Sequence, residues 1–170
     1  MLGRSRPELL APLCFSDGKI LRADRPATAS YDCVTDDPTK SGKAIKIQNR
    51  VGEHGILAAF NISEANEPVT AEIAATFVDG LPEGEYAVYE HFSGELRMLA
   101  PGESFTVTLT DADDFRLFIL APVKNGFAVI GRTDKLLSPA SVKCIEGETV
   151  ILHEPGKYAC VKDGKLQIRE

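Results

Sequence analysis

Two charged residues stand out in a stretch of small residues, LRADRPATASYDC, at positions 21–33. Arg25 and Asp32 could pair as guanidinium and carboxylate on a rim and hold a hydroxyl-rich ligand by charge-assisted hydrogen bonds. They could equally close a local salt bridge that stiffens a linker, and composition favours that reading. A second set lies in EYAVYEHF, where Tyr86, Tyr89 and His91 could form a stacking platform for a sugar ring. Working against it, the chain has no Trp, and most of its Phe residues fall on inward-alternating positions where core is the expected use.

Carboxylates cluster twice, in TDDPT at 35–39 and TDADDF at 110–115. Paired acids can do glycosidic acid–base work, or hold calcium with backbone oxygens. TDADDF joins two strand-like runs, however, and a solvated turn is the expectation for both clusters. Cys14, Cys33, Cys144 and Cys160 make no C-x-x-C pair, and His54, His91 and His153 lie far apart, so buried or half-buried thiols and imidazoles are expected and no metal site. No P-loop, dinucleotide glycine fingerprint or G-x-S-x-G occurs, so no cofactor and no catalytic residue is assigned.

A net charge of −6 without a basic, aromatic-interleaved run argues against nucleic acid and anionic membrane as partners. No apolar run approaches the ~18 residues of a membrane span. ELLAPLCF is too short, and too broken by Pro12, to act as an export signal, so a cytoplasmic location is the expectation.

What must position these residues is a set of strands. PELLAPLC suits one or two helical turns, with Pro7 at the first helical position and Pro12 stopping the helix. From there to about residue 42 the text is Asp, Thr, Pro, Ser and Gly, which is loop chemistry. Beyond it KAIKIQN alternates, with Ile45 and Ile47 on one face and Lys46 and Gln48 on the other. GILAAFNI is apolar on both faces, as a central strand would be. ESFTVTLT turns Phe105, Val107 and Leu109 inward and Thr106, Thr108 and Thr110 outward. Runs of this kind recur to the C-terminus, about ten of them. Ser93-Gly94, Asn125-Gly126, Glu146-Gly147 and Asp163-Gly164 each separate two runs and suit tight hairpins. The pattern predicts an all-β fold, an antiparallel two-sheet β-sandwich of Greek-key or meander type. NEPVTAEIAATFV reads as loop plus strand and TDKLLSPAS as a short helical turn. The organisation expected is an N-terminal segment over 1–40 and a β-sandwich domain over 41–170.

The run SDGKILRADRPATASYDCVTDDPTKSGKAIKIQNR resembles a stretch of the raffinose synthase and seed imbibition protein family, relatives of glycoside hydrolase family 36 α-galactosidases. The likeness rests on Asp17, Gly18, Ile20, Leu21, Arg22 and Ala23, then Pro26, Thr28, Asp32, Cys33, Asp37 and Pro38, and finally Gly42, Lys43, Lys46, Ile47 and Asn49. RPELLAPL resembles the last helix of that family's catalytic barrel, and GILAAFNI and FAVIGRTDKLLSPASV its C-terminal sandwich. Gln48 stands where the family usually has Trp, and a Trp-containing insertion after Phe60-Asn61 is missing. These departures point to a bacterial relative over a plant synthase.

The resemblance implies that catalysis in such proteins comes from two aspartates on a (β/α)₈ barrel, a unit of roughly 200 residues or more. No position here matches either aspartate, and residues 1–40 would be only the tail of such a barrel and its linker. The expectation is a non-catalytic accessory domain whose partner is the barrel of a parent enzyme acting on α-galactosides. In that enzyme Arg25 and Asp32 would lie near the sugar. Two other readings stand beside it: a free-standing module that binds an α-galactoside, and a structural β-domain that forms homo-oligomers.

Overall fold

The computed structural model describes residues 6–170. One helical turn, α1 (Pro7–Leu10), runs into a 3-10 turn at Ala11–Leu13 that contains Pro12. Thirteen strands follow: β1 (Thr28–Ala29), β2 (Ile45–Val51), β3 (His54–Phe60), β4 (Val69–Ala74), β5 (Tyr86–Glu90), β6 (Leu96–Leu99), β7 (Ser104–Leu109), β8 (Phe115–Pro122), β9 (Phe127–Arg132), β10 (Val142–Glu146), β11 (Thr149–Leu152), β12 (Tyr158–Lys162) and β13 (Lys165–Arg169). The expected short turn in TDKLLSPAS is the 3-10 segment Ser138–Ser141. The four Gly-containing turns lie where the sequence puts them, between β5 and β6, β8 and β9, β10 and β11, and β12 and β13. At Asn125-Gly126 and Asp163-Gly164 both residues have positive φ, the backbone of a type I′ hairpin that matches strand twist.

Every strand pairing is antiparallel, and the fold is the expected all-β sandwich type. The layering is deeper than a single pair of sheets. A six-stranded sheet, β1-β2-β3-β8-β5-β6, lies at the centre of the packing. One of its faces packs Leu57, Tyr86, Val88, Phe118 and Leu120 against Val69, Ile73 and Leu109 of the β4-β7 pair. The other packs Ile56, Tyr89 and Ile119 against Ile130 and Val161 of the sheet β13-β12-β9. The outer face of that sheet, with Phe127, Val129, Tyr158 and Cys160, is covered by the β10-β11 ribbon. Strand β5, with Ile56–Leu57 of β3 and Phe118–Ala121 of β8, is therefore covered on both faces, which is why GILAAFNI and FRLFILA show little polar alternation.

Strand β2 alternates as expected, but its polar face is the buried one. Lys46 and Gln48 are each 1% exposed, while Ile45 and Ile47 are only half-buried. The reason lies in residues 21–33. Thr28 and Ala29 form a short edge strand on β2, and a 3-10 turn at Tyr31–Cys33 follows, which brings polar partners over Lys46 and Gln48. This segment thus joins the main sheet at Thr28, ahead of the boundary the sequence suggests near residue 40.

Candidate functional site

Arg25 and Asp32 do not meet each other. Each closes its own clasp between the 21–33 segment and the sandwich. Asp32 takes an ion pair of 2.7 Å from Lys46 and a 2.6 Å hydrogen bond from the Ser30 hydroxyl. The same ammonium donates to the Glu72 carbonyl at 2.8 Å and lies 3.2 Å from the centre of the Phe77 ring. A buried cation is thus compensated by a carboxylate, a carbonyl and an aromatic face. Partial burial works to raise the Asp32 carboxyl, but the hydrogen bonds from Lys46 and Ser30 prevail and hold it below the usual carboxylate range.

The second clasp centres on Gln48. Its carbonyl oxygen accepts from Arg25 at 2.9 Å, and its amide donates to the Thr28 hydroxyl at 2.7 Å and to Asp79 Oδ2 at 2.8 Å. Arg25 also donates to the Asp79 carbonyl at 2.7 Å. Gln48 therefore satisfies its amide fully, a role the Trp usual at this place could not fill. Sequence reasoning missed Lys46, Gln48 and Asp79. The available signal was a lysine and a glutamine alternating with isoleucines, a pattern identical to that of a strand with one wet face.

The stretch ahead of this is pinned as well. Lys135, 5% exposed, donates to the carbonyls of Ala11 and Cys14 at 2.8 and 2.7 Å. The Leu136 amide donates to the Pro12 carbonyl at 3.0 Å. Glu154 accepts from the Ser16 amide and hydroxyl and from Arg132, which also grips Asp134 through two nitrogens. Those bonds hold the Glu154 carboxyl below its usual range, those from Ser16 most. Residues 11–33 thus form a strap fastened at both ends to the sandwich. No local pattern announces this node, because its members come from residues 11–16, 132–136 and 154.

Tyr86, Tyr89 and His91 do not make one platform. Tyr86 is 2% exposed, in the core facing β4-β7, and donates its hydroxyl to the Pro82 carbonyl at 2.8 Å. Tyr89 is buried on the opposite face, as the two-residue period of a strand dictates for residues three apart. His91 is half-buried and meets Phe92 edge-on. The acidic clusters are turns that bond themselves: Asp37 accepts from the Thr39 amide and hydroxyl, Asp36 pairs with Lys43, and Asp111 and Asp114 accept from the Asp113 and Thr110 amides. A cleft between β7 and the main sheet carries Glu90, Arg97 and Phe105. Its charges are also spent locally, since Arg97 grips Glu95 and lies over the Phe105 ring, and Glu90 accepts from the Ser93 and Leu117 amides. Of the cysteines, Cys160 is buried and the other three are half-buried.

The family model described as raffinose synthase or seed imbibition protein Sip1 matches residues 1–77, the part that contains the strap, the Lys46 clasp and all of the Gln48 clasp except Asp79. The chain is a relative of the raffinose synthase and seed imbibition protein family. It is 32% identical over 167 residues to a galactinol–sucrose galactosyltransferase of Oryza sativa subsp. japonica, covering 82% of this chain and 21% of the rice protein. Probable galactinol–sucrose galactosyltransferases 6 and 1 of Arabidopsis thaliana match at 26% and 29% identity, over 86% and 79% of this chain and 23% and 21% of their own. The chain thus spans about a fifth of the length of these raffinose synthase relatives. All three are plant proteins, at odds with the bacterial relative that Gln48 and the missing insertion suggest. Among solved structures, a putative α-N-acetylgalactosaminidase from Bacillus halodurans aligns with a TM-score of 0.44 and 15% identity over 58% of this chain and 20% of that one. An α-amylase from Anoxybacillus aligns at 0.33 and 13%, over 48% and 16%.

Proposed function

We propose that this chain is the non-catalytic, C-terminal β-sandwich region of a larger raffinose synthase-like or α-galactosidase-like protein, and that it packs against and braces the catalytic barrel. The observation that carries the reading is how the charged residues of the family-matched strap are used. Arg25, Asp32, Lys46 and Gln48 bond across between the strap and the sandwich, which fastens the strap and ties up the charged groups that could otherwise serve a ligand. The fivefold greater length of the relatives supports the same reading, since it supplies room for a catalytic unit outside the matched span. In this role the strap is the stiff crossing by which barrel and sandwich hold a constant geometry. The test is turnover. Purified chain incubated with raffinose, or with an aryl α-galactoside, should release no galactose. Release that follows the chain through successive columns would overturn the proposal.

A further inference from the structure

We infer that the catalytic part of the parent protein docks on one particular face, the apolar groove between the strap and the main sheet. This rests on the accessory-region reading above and names the surface it leaves open. Along β2, β3 and β8 the register sets Ile45, Phe60 and Phe115 side by side, and next to them Ile47, Ala58 and Leu117. All six are on the sheet face that the β9 layer covers only in part. Phe60 stacks on Phe115 with centroids 5.8 Å apart, and Phe92 meets Phe115 edge-on at 5.0 Å. The far wall is Leu13 and Ile20 of the strap together with Leu136. Phe92 remains 53% exposed, Phe115 44% and Ile20 62%. A continuous apolar surface of this kind, three contacting aromatic rings among aliphatic residues, marks an interaction site.

Three observations identify what covers it. The relatives are about five times longer than their matched span, so most of such a protein lies outside this chain. The strap enters the fold at this groove: Leu9 and Leu10 of α1 are exposed, Leu13 three residues on lines the groove, and Leu136 bonds Pro12 at its side. The described chain therefore starts beside this groove. The lining side chains are also all hydrocarbon, so none of them can hydrogen-bond a sugar hydroxyl or pair with a charged ligand. The occupant is accordingly an apolar protein surface of the same polypeptide, presenting aliphatic and aromatic side chains. A second copy of this chain is the poorer fit, because each copy carries a net charge of −6.

Hydroxyl-radical footprinting with mass spectrometry reads this directly, comparing the protein isolated from its source cells with this chain alone. Oxidation of Phe92 and Phe115 should be several-fold slower in a longer source protein. Equal oxidation rates in a longer source protein would overturn the surface assignment while leaving the accessory-region reading standing. A source protein no longer than this chain, and monomeric by native mass, would overturn both. Protection in an oligomer of chains of this length would give the face to a second copy, and would equally overturn the inference.

Discussion

Lys46 shows how one residue can invert the meaning of a strand. Its side chain is 2% exposed, and its ammonium lies between Asp32, the Glu72 carbonyl and the Phe77 ring. Asp32 supplies the only full negative charge in that set, with its side chain 32% exposed. Removing one partner of such a pair costs more than replacing the cation by an apolar residue of similar volume. Asp32→Ala should therefore lower the urea midpoint by the equivalent of about 1.5–3 kcal/mol, the value of a hydrogen bond to a charged group. Lys46→Met should cost less than Asp32→Ala. Because the native carboxyl titrates below its unfolded value, its contribution is complete above about pH 4 and disappears as pH falls through the native value. Asp32→Asn should then flatten the acid limb of the stability curve, and an unchanged limb would refute the clasp.

At the scale of elements, β9 and the strap are connected through one glycine. The β9–β12 pairing slips by a residue between Ala159 and Cys160, where Gly131 takes a φ of +104°. A Cβ there would stand 2.1 Å from the Ser138 carbonyl oxygen, so the Ser138–Ser141 turn packs directly on the bare backbone. That turn follows Lys135 and Leu136, which hold residues 11–14 of the strap. Gly131→Ala combines left-handed strain with a backbone clash and should cost about 3 kcal/mol or more. Limited proteolysis of the variant should cut within residues 11–20 sooner than in the wild type. An unchanged melt and cleavage pattern would disprove the connection. The strands themselves were legible, since alternation in ESFTVTLT and the Asn125-Gly126 and Asp163-Gly164 hairpins are local features. The slip at Gly131 was not, because it depends on what packs over β9.

Across the whole molecule, His54 ties two layers together. It belongs to β3 of the main sheet, and its Nε2 hydrogen-bonds the Val129 carbonyl of β9 at 2.7 Å. Burial pushes the imidazole down, against the opposing pull of that carbonyl. The unfolded chain therefore binds the proton first. Stability from His54 is complete above the unfolded value of about 6.5 and declines as pH falls below it. Burial also lowers His91, which adds in the same sense. Thermal melts between about pH 7.5 and pH 5 should show a falling midpoint across this window. His54→Gln should shrink that fall, leaving the share owed to His91. A slope identical to wild type would show that the layers are joined without this histidine's titration.

The chain's periodicities and turn residues were enough to declare an antiparallel all-β fold, because strand alternation and type I′ turns are written in neighbouring residues. The same local text could not tell which face of KAIKIQN would be buried, nor that Tyr86 and Tyr89 would disappear into opposite cores. Nor could it keep Arg25 and Asp32 from being read as partners. Those outcomes depend on residues brought together from 20 to more than 100 positions away, such as Gln48 with Asp79 and Lys135 with Ala11. Burial of a charge is decided by whether compensating groups arrive in three dimensions, and only the packed strap and sheets supplied them.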